Sequence, residues 1–200
     1  MAARSFSLDA GDGHRLSAFR ADPSEKPKAG VIVLHAVYGL TQRMARVCEI
    51  WAEAGYAAIA PALFDRLGSD RVYPYTSDAA KTGSADYAAL SETQIFADID
   101  AAADALPGPA IISGFCSGGS WAWRAAARPD RFYAAQVNFY GSHIPKLIDL
   151  APRCPTILHY GDGDHVVSLG EIEGIRTRHP GVELHIYPGA GHAFENPEQP

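Results

Sequence analysis

Short apolar runs alternate with segments of helical periodicity along most of the chain. After a hairpin signal around Gly11-Asp12-Gly13, the apolar runs are GVIVLH, YAAIAPALF, PAIISGF, YAAQVNFYG, PTILHYG and VELHIYPG. Segments with helical character separate most of them, at 41–54, 95–106, 117–128 and 170–178. Strands that alternate with helices in this order predict a mostly parallel, twisted sheet with helices on both faces, preceded by an antiparallel hairpin.

Length and charge limit the classes of protein that fit this pattern. The 200 residues carry no repeat or linker, so we expect one domain over 1–200, with loose connectors at 21–30 and 66–84. The formal net charge of −6 is spread along the chain, which argues against nucleic acid or a membrane surface as a partner.

The cysteines and the N-terminus indicate the cellular setting. Three cysteines without CxxC spacing suggest neither a disulfide framework nor a zinc site. The first residues form no apolar leader, and no stretch is long enough to span a bilayer. We therefore expect a cytoplasmic protein with a small-molecule substrate and without a metal or other cofactor.

The stretch GFCSGG lies between a strand-like run and a helix-like segment, with Cys116 at its centre. It matches the G-x-nucleophile-x-G turn, in which the nucleophile sits on a strained backbone. Small neighbouring residues leave room for the close approach of strand and helix there. The N–H groups that begin the next helix favour negative charge and lower the pKa of a thiol there. The alternative is a glycine-rich turn with a cysteine that only fills space in the core.

Two later strand-like runs end in residues that can complete a catalytic triad. GDGDHVV supplies Asp162 or Asp164, and GAGHAF supplies His192, so that nucleophile, acid and histidine follow one another at strand ends. The G-x-x-D-x-x-V pattern favours Asp164, whereas Asp162 is typical of a turn residue with a local side-chain hydrogen bond. Adjacent Asp162, Asp164 and His165 form only a weak metal signal, because no second cluster accompanies them.

Together these segments resemble the dienelactone hydrolases (carboxymethylenebutenolidases), small cysteine-dependent members of the α/β-hydrolase fold. GFCSGG resembles the family's G-x-C-x-G-G elbow, and HAVYGL (35–40) resembles its segment after the first buried strand. GYAAIAPALFDR (55–66) resembles its G-Y-x-x-x-x-P-D-L-Y-x-R run, and the loops around Asp164 and His192 resemble its aspartate and histidine loops. The resemblance covers almost the whole chain and implies the α/β-hydrolase fold.

The resemblance also implies roles for particular residues. Cys116 would be the nucleophile, His192 the base and Asp164 the residue that orients the base. The backbone N–H groups of Ser117 and Val37 would form the oxyanion hole. Substrate contacts are expected from four further residues: His35, Ala36, Tyr38 and Phe194.

The chain departs from the family pattern in three places. Ala36 replaces the glutamate that pairs with the resting cysteine, so activation is expected to depend on His192, with His35 as an alternative polar contact. Glu195 and Asn196 stand where a basic residue binds the substrate carboxylate, which argues against a dicarboxylic dienelactone. The chain stops just after the histidine loop, where such folds usually add a helix against the sheet. We expect either a shortened C-terminus or a homodimer in which the second subunit covers the exposed apolar face.

A cysteine nucleophile favours reactive carbonyl compounds, because a thiolate attacks well near neutral pH but also leaves readily from the tetrahedral intermediate. We therefore expect a hydrolase that cleaves a small lactone or ester through a thioester. A thioesterase or general carboxylesterase on the same scaffold is one alternative. An inactive binding or redox-sensing homologue is the other, and Ala36 is among the features that favour it.

Overall fold

The computed structural model describes residues 1–69 and 71–198. Its strands are Arg4–Asp9 (β1), Arg15–Ala21 (β2), Gly30–Leu34 (β3), Ala57–Pro61 (β4), Ile111–Phe115 (β5), Ala135–Phe139 (β6), Thr156–Gly161 (β7) and Glu183–Tyr187 (β8). Its α-helices are Gln42–Glu53 (α1), Ser77–Ala89 (α2), Glu92–Asp104 (α3), Ser117–Ala127 (α4) and Leu169–Arg178 (α5). Short 3₁₀ helices lie at Leu63–Leu67 and Ile144–Leu147.

The strands form one eight-stranded sheet in the order β1-β2-β4-β3-β5-β6-β7-β8. Strand β2 is antiparallel to both β1 and β4, whereas the pairs β3–β4, β6–β7 and β7–β8 are parallel. The predicted α/β class, with an opening hairpin and a mostly parallel sheet, is confirmed. Two compact units make up the chain, Met1–Ile111 and Ile112–Pro200. The expectation of a single domain over 1–200 stays a prediction.

In the first unit, β3 and β4 are buried along their whole length, as in strands covered on both faces. Helix α1 packs against β2, β3 and β4, and α3 packs against β1, β3 and β4. The buried side of α1 carries Met44, Val47 and Cys48, at the helical spacing that the sequence predicts.

The loose connector predicted over 66–84 is wrong in its second half, where α2 begins at Ser77. The Thr76 hydroxyl caps the helix by accepting a hydrogen bond from the Ala79 N–H at 3.3 Å. Small and polar residues fill this helix, so it has no apolar period that a sequence pattern could reveal. Its buried residues are Gly83, Asp86 and Tyr87.

Helix α2 packs against the segment that follows β3. A Cβ atom at Gly83 would lie 1.6 Å from the Val37 carbonyl oxygen, so no larger residue fits there without moving backbone. Val37 and Tyr38 are buried and Ala36 is half-buried. The contact with α2 therefore fixes the short segment that carries several of the predicted site residues.

His35 is fully buried directly after β3, and its ring makes hydrogen bonds within the first unit. Its Nε2 atom accepts from the Leu63 N–H at 3.2 Å, and its Nδ1 atom lies 2.7 Å from the Ala36 carbonyl oxygen, to which it donates. The Tyr87 hydroxyl donates to the His35 carbonyl oxygen at 2.7 Å. Burial lowers the pKa of His35 to about 4, so the ring is neutral at neutral pH. These bonds favour a structural role, and the expected contact with substrate stays a prediction.

In the second unit, the buried face of β6 and β7 supports the start of α4. The Asn138 side-chain N–H donates to the Gly119 carbonyl oxygen at 2.6 Å, and a Cβ at Gly119 would come within 2.2 Å of the Asn138 Oδ1 atom. The buried Tyr160 hydroxyl donates to the Gly141 carbonyl oxygen at 2.8 Å. Buried polar side chains of β6 and β7 thus fix the first turn of α4 and the turn after β6 by hydrogen bonds.

No helix in the described part of the chain is long and apolar enough to cross a bilayer. The expected cytoplasmic location and the homodimer stay predictions. The short C-terminus expected from the sequence includes Gln199 and Pro200, which lie outside the described residues.

Replacing Gly83 with Ala should destabilise the protein by about 1–3 kcal/mol, because the new methyl group overlaps the Val37 backbone. Gly174→Ala in α5 is the matched control, since nothing lies within 4 Å of the added methyl group and alanine favours the helix. Urea denaturation of both variants measures the free energy of unfolding. Equal stability of the two variants would contradict the tight packing of α2.

His35 should make stability depend on pH. Its folded pKa of about 4 lies below the ordinary histidine pKa of 6.5, so below pH 6.5 the unfolded chain binds the proton and stability falls. Between about pH 7.5 and pH 5 this loss of folding stability is about 2 kcal/mol.

His35→Asn should be less stable than the wild-type protein near pH 7.5 by about 1–3 kcal/mol, because the Leu63 N–H loses its acceptor. The deficit should shrink towards pH 5, and a deficit that is constant with pH would contradict the neutral buried ring.

Candidate active site

Cys116 lies in a strained turn between β5 and α4. Its φ of 51° is in the left-handed region, which non-glycine residues rarely adopt. A Cβ at Gly114 would lie 2.3 Å from the Gly118 carbonyl oxygen, so the turn requires glycine at position 114. The Cys116 N–H donates to the Phe139 carbonyl oxygen at 3.1 Å, which attaches the turn to the end of β6. This geometry presents the thiol at the end of the strand, and the residue is partly exposed.

Backbone N–H groups from α4 and from the turn after β6 bind the Cys116 carbonyl oxygen. The Cys116 carbonyl oxygen accepts from the Ser120 N–H and from the Ser142 N–H, each at 3.2 Å. Ser117 is the first residue of the helix, and its N–H interacts with the thiol and lowers the thiol pKa. The predicted role of this N–H in an oxyanion hole stays a prediction.

Asp164 and His192 meet in a buried hydrogen bond. The Nδ1 atom of His192 donates to the Asp164 Oδ2 atom at 2.8 Å. The other carboxylate oxygen accepts from the N–H groups of Val166 and Val167, at 2.7 and 3.0 Å. The side chains are 0% exposed for Asp164 and 6% for His192, so little water competes for this bond. The acid loop therefore fixes the imidazole and the tautomer that leaves Nε2 for chemistry.

The two loops meet because β7 and β8 are parallel neighbours whose carboxyl ends lie side by side. A Cβ at Gly161 would lie 2.0 Å from the Ala190 carbonyl oxygen, so glycine permits this close approach. Asp162 adds a link of its own, since its Oδ1 atom accepts from the Gly189 N–H at 2.7 Å. The local hydrogen bond expected for Asp162 is thus wrong: its partner lies in the histidine loop.

The pKa values of the thiol and the imidazole move in opposite directions. Burial alone would raise the pKa of Cys116, but interactions with His192, Ser142 and the Ser117 N–H outweigh burial and lower it. Burial alone would lower the pKa of His192, but the Asp164 carboxylate and the Cys116 sulfur raise it to about 9. Both shifts favour the charged pair, a thiolate beside an imidazolium, over the neutral thiol and imidazole.

The Nε2 atom of His192 is buried and has no partner with good hydrogen-bond geometry among the described residues. His192 is nevertheless among the groups that lower the pKa of the Cys116 thiol. A proton on Nε2 is thus not held in a short hydrogen bond by any described residue. This arrangement suits proton transfer to a leaving group.

Tyr140 is a site residue that the sequence reading did not identify. Its ring centroid lies 4.8 Å from that of His192 in an edge-to-face contact, and its hydroxyl donates to the Glu195 Oε1 atom at 2.6 Å. Phe194 packs on the same ring, with centroids 5.9 Å apart. Tyr140 and Ala193 both have positive φ, 41° and 58°. The position of Tyr140 directly after β6 is the signal that could have revealed it.

The second unit thus brings together five of the predicted residues: Cys116, Ser117, Asp164, His192 and Phe194. The remaining four lie in the first unit, at and after the end of β3: His35, Ala36, Val37 and Tyr38. Their predicted roles at the substrate and in the oxyanion hole stay predictions.

His165, beside Asp164, makes an edge-to-face contact with the His192 ring, with centroids 5.9 Å apart. Within residues 1–69 and 71–198, no group of three or more histidine, cysteine or acidic side chains is arranged to hold a metal ion.

Comparison with known proteins gives one consistent result. The profile of the dienelactone hydrolase family matches residues 16–200. A carboxymethylenebutenolidase homologue of Escherichia coli strain K12 is 30% identical over 94% of this chain and 76% of its own length. The carboxymethylenebutenolidase of Pseudomonas putida is 25% identical over 97% of this chain and 86% of its own.

Among solved structures, a dienelactone hydrolase homologue from Klebsiella pneumoniae superposes with a TM-score of 0.81 at 25% identity. The superposition covers 100% of this chain and 92% of that one. The similarity therefore extends over the whole fold.

Cys116 should be alkylated selectively. Burial raises the pKa of Cys48 to about 12 and also raises that of Cys154, whereas the pKa of Cys116 is lowered. Near pH 7, iodoacetamide should modify Cys116 at least about tenfold faster than Cys154, and Cys48 should resist. Mass spectrometry of the digested protein measures the three rates, with urea-unfolded protein as the control. Equal rates for Cys116 and Cys154 in the folded protein would contradict the lowered pKa.

Proposed function

Because this chain belongs to the dienelactone hydrolase family, within the α/β-hydrolase superfamily, we propose that it cleaves a small lactone or ester through a thioester on Cys116. The family assignment makes the protein a hydrolase that acts on esters or lactones. The proposal adds the nucleophile and the roles of Asp164 and His192. The buried Asp164–His192 hydrogen bond beside the strained Cys116 turn is the observation that supports it most.

In the first half of the reaction, the Cys116 thiolate attacks the carbonyl carbon and the carbonyl oxygen becomes an oxyanion. The Ser117 N–H, at the start of α4, would donate to this oxyanion, and the family resemblance adds the Val37 N–H. The tetrahedral intermediate then expels the alkoxide, which takes the proton from His192 Nε2. The products of this half are an alcohol, or the free end of an opened lactone, and a thioester on Cys116.

In the second half, neutral His192 accepts a proton from water, and the hydroxide attacks the thioester carbonyl. The second tetrahedral intermediate expels the thiolate, and a carboxylic acid leaves. The imidazolium and thiolate are then restored as the resting pair. Throughout the cycle Asp164 keeps Nδ1 protonated and stabilises the imidazolium form, because its carboxylate is fixed by two backbone N–H groups.

A neutral substrate fits the loop after His192 better than a dicarboxylate does. Glu195 and Asn196 occupy the positions where the family places a basic residue, and the Glu195 carboxylate is hydrogen-bonded to Tyr140 beside the His192 ring. A cation for a second substrate carboxylate is thus absent from these two positions. We propose neutral lactones and activated esters as the preferred substrates.

Hydrolysis of p-nitrophenyl acetate, simple lactones, a dienelactone and an acyl thioester tests the function. Cys116→Ala should lower turnover of the preferred compound by at least about a thousandfold, because the nucleophile is lost. Asp164→Asn should lower kcat by about 10²- to 10⁴-fold, because the imidazole is no longer held in the productive tautomer. Cys154→Ala is the matched control and should retain wild-type rates.

The same panel separates the alternatives. Preference for the acyl thioester would favour a thioesterase, and broad turnover of simple esters would favour a general carboxylesterase. Preference for the anionic dienelactone would contradict the proposal that the preferred substrates are neutral. If the wild-type protein hydrolysed none of the compounds, an inactive binding or redox-sensing homologue would be favoured instead.

A further inference from the structure

The turn after β6 is hydrogen-bonded to the nucleophile turn along its length. The Cys116 N–H donates to the Phe139 carbonyl oxygen, and the Ser142 N–H donates back to the Cys116 carbonyl oxygen at 3.2 Å. The next residue continues the link, because the His143 N–H donates to the Ser120 Oγ atom at 2.8 Å. Ser142 and His143 are therefore held beside Cys116 by their backbones, whatever their side chains do.

The side chains of these two residues also interact. The Ser142 Oγ atom lies 3.0 Å from the His143 Nδ1 atom, and Ser142 is half-buried. The Ser142 side chain is also among the groups that lower the pKa of the Cys116 thiol, as a hydroxyl that donates to the sulfur would do. A hydroxyl has one hydrogen and two lone pairs, so if that hydrogen goes to the sulfur, the bond with His143 must be donated by Nδ1–H.

We propose that His143 and Ser142 form a donor chain, from His143 Nδ1–H to Ser142 Oγ and from Ser142 O–H to the Cys116 sulfur, that holds the nucleophile as a thiolate. The proposal rests on the proposed function only for the use made of that thiolate. Hydrogen bonds in series polarise one another, so His143 strengthens the bond that Ser142 donates. Ser142 touches the reacting sulfur, and His143 is a positioning residue that acts through Ser142.

The donor chain of hydrogen bonds can form whether His143 is neutral or protonated. Burial and the nearby Lys146 ammonium lower the pKa of His143, so its ring is neutral at neutral pH. In the neutral Nδ1–H tautomer and in the imidazolium alike, Nδ1 carries a hydrogen. The thiolate therefore gains a donor on its Ser142 side, in addition to the imidazolium of His192.

The donor chain of His143 and Ser142 would give Cys116 a polar partner in a protein that has Ala36 in place of the family's glutamate. The chemical effect differs from that of a glutamate. A carboxylate beside a cysteine opposes ionisation of the thiol, whereas a hydroxyl donor favours it. The resting nucleophile should therefore be ionised at lower pH than it would be without Ser142.

The rate of Cys116 alkylation by iodoacetamide as a function of pH tests the donor chain. Ser142→Ala should raise the midpoint of the profile by about one pH unit and slow alkylation at about pH 6 by about tenfold, with little change at high pH. Ser142→Thr, which keeps the hydroxyl, should restore the wild-type profile. His143→Leu should shift the midpoint less but in the same direction, and His143→Asn, whose side-chain N–H can replace Nδ1–H, should restore it.

Ser168→Ala, at the start of α5, is the matched control and should titrate as the wild-type protein. A merely structural role for Ser142 would change stability or the rate at all pH values but not the midpoint. An unshifted midpoint in a folded Ser142→Ala protein overturns the proposal, even if Cys116-dependent hydrolysis is found. If Ser142→Ala does not fold, equal midpoints for His143→Leu and the wild-type protein overturn it. A shifted midpoint in a protein that hydrolyses nothing supports the chain and contradicts only the proposed function.

Discussion

The left-handed backbone of Cys116 is the constraint on which the rest of the site depends. A non-glycine residue in this region costs about 1–3 kcal/mol, and it persists only where its surroundings leave no alternative. Here the hydrogen bonds to Phe139, Ser120 and Ser142 fix both sides of the residue, and Gly114 leaves room for the chain to pass. The strain places the thiol beyond the strand end and places the first N–H groups of α4 beside it.

Charge balance follows from this placement. A buried thiol alone would be un-ionised and a buried imidazole alone would be neutral, yet each stabilises the charged form of the other. The Asp164 carboxylate stabilises the protonated form of His192, and its own position is fixed by two backbone N–H groups and shielded from water. His35 shows the opposite outcome, because burial outweighs its hydrogen bond to Ala36 and the charge of the Asp65 carboxylate and leaves the ring neutral.

Three separate strand ends contribute to the same small region of the second unit. The turn after β6 supplies Tyr140 and Ser142, the loop after β7 supplies Asp164, and the loop after β8 supplies His192. Parallel strands make this convergence unavoidable, since their carboxyl ends lie at one edge. Strain accompanies the convergence: among the described non-glycine residues, those with positive φ are Cys116, Tyr140 and Ala193.

The sequence by itself determined the order of the strands and of most helices along the chain, and it singled out Cys116, Asp164 and His192 as the residues proposed for catalysis. Apolar periodicity and glycine-rich turns are local signals, so both could be read without the tertiary structure. The sequence did not reveal α2, whose small polar residues carry no period and whose position depends on Gly83 fitting against Val37. Only the tertiary structure decided what the remaining polar groups do. The bond from Asp162 to Gly189, the contact of Tyr140 with His192 and the approach of Ser142 to Cys116 all join segments far apart in the chain. Such pairings depend on which loops the sheet brings together, and no local pattern encodes that.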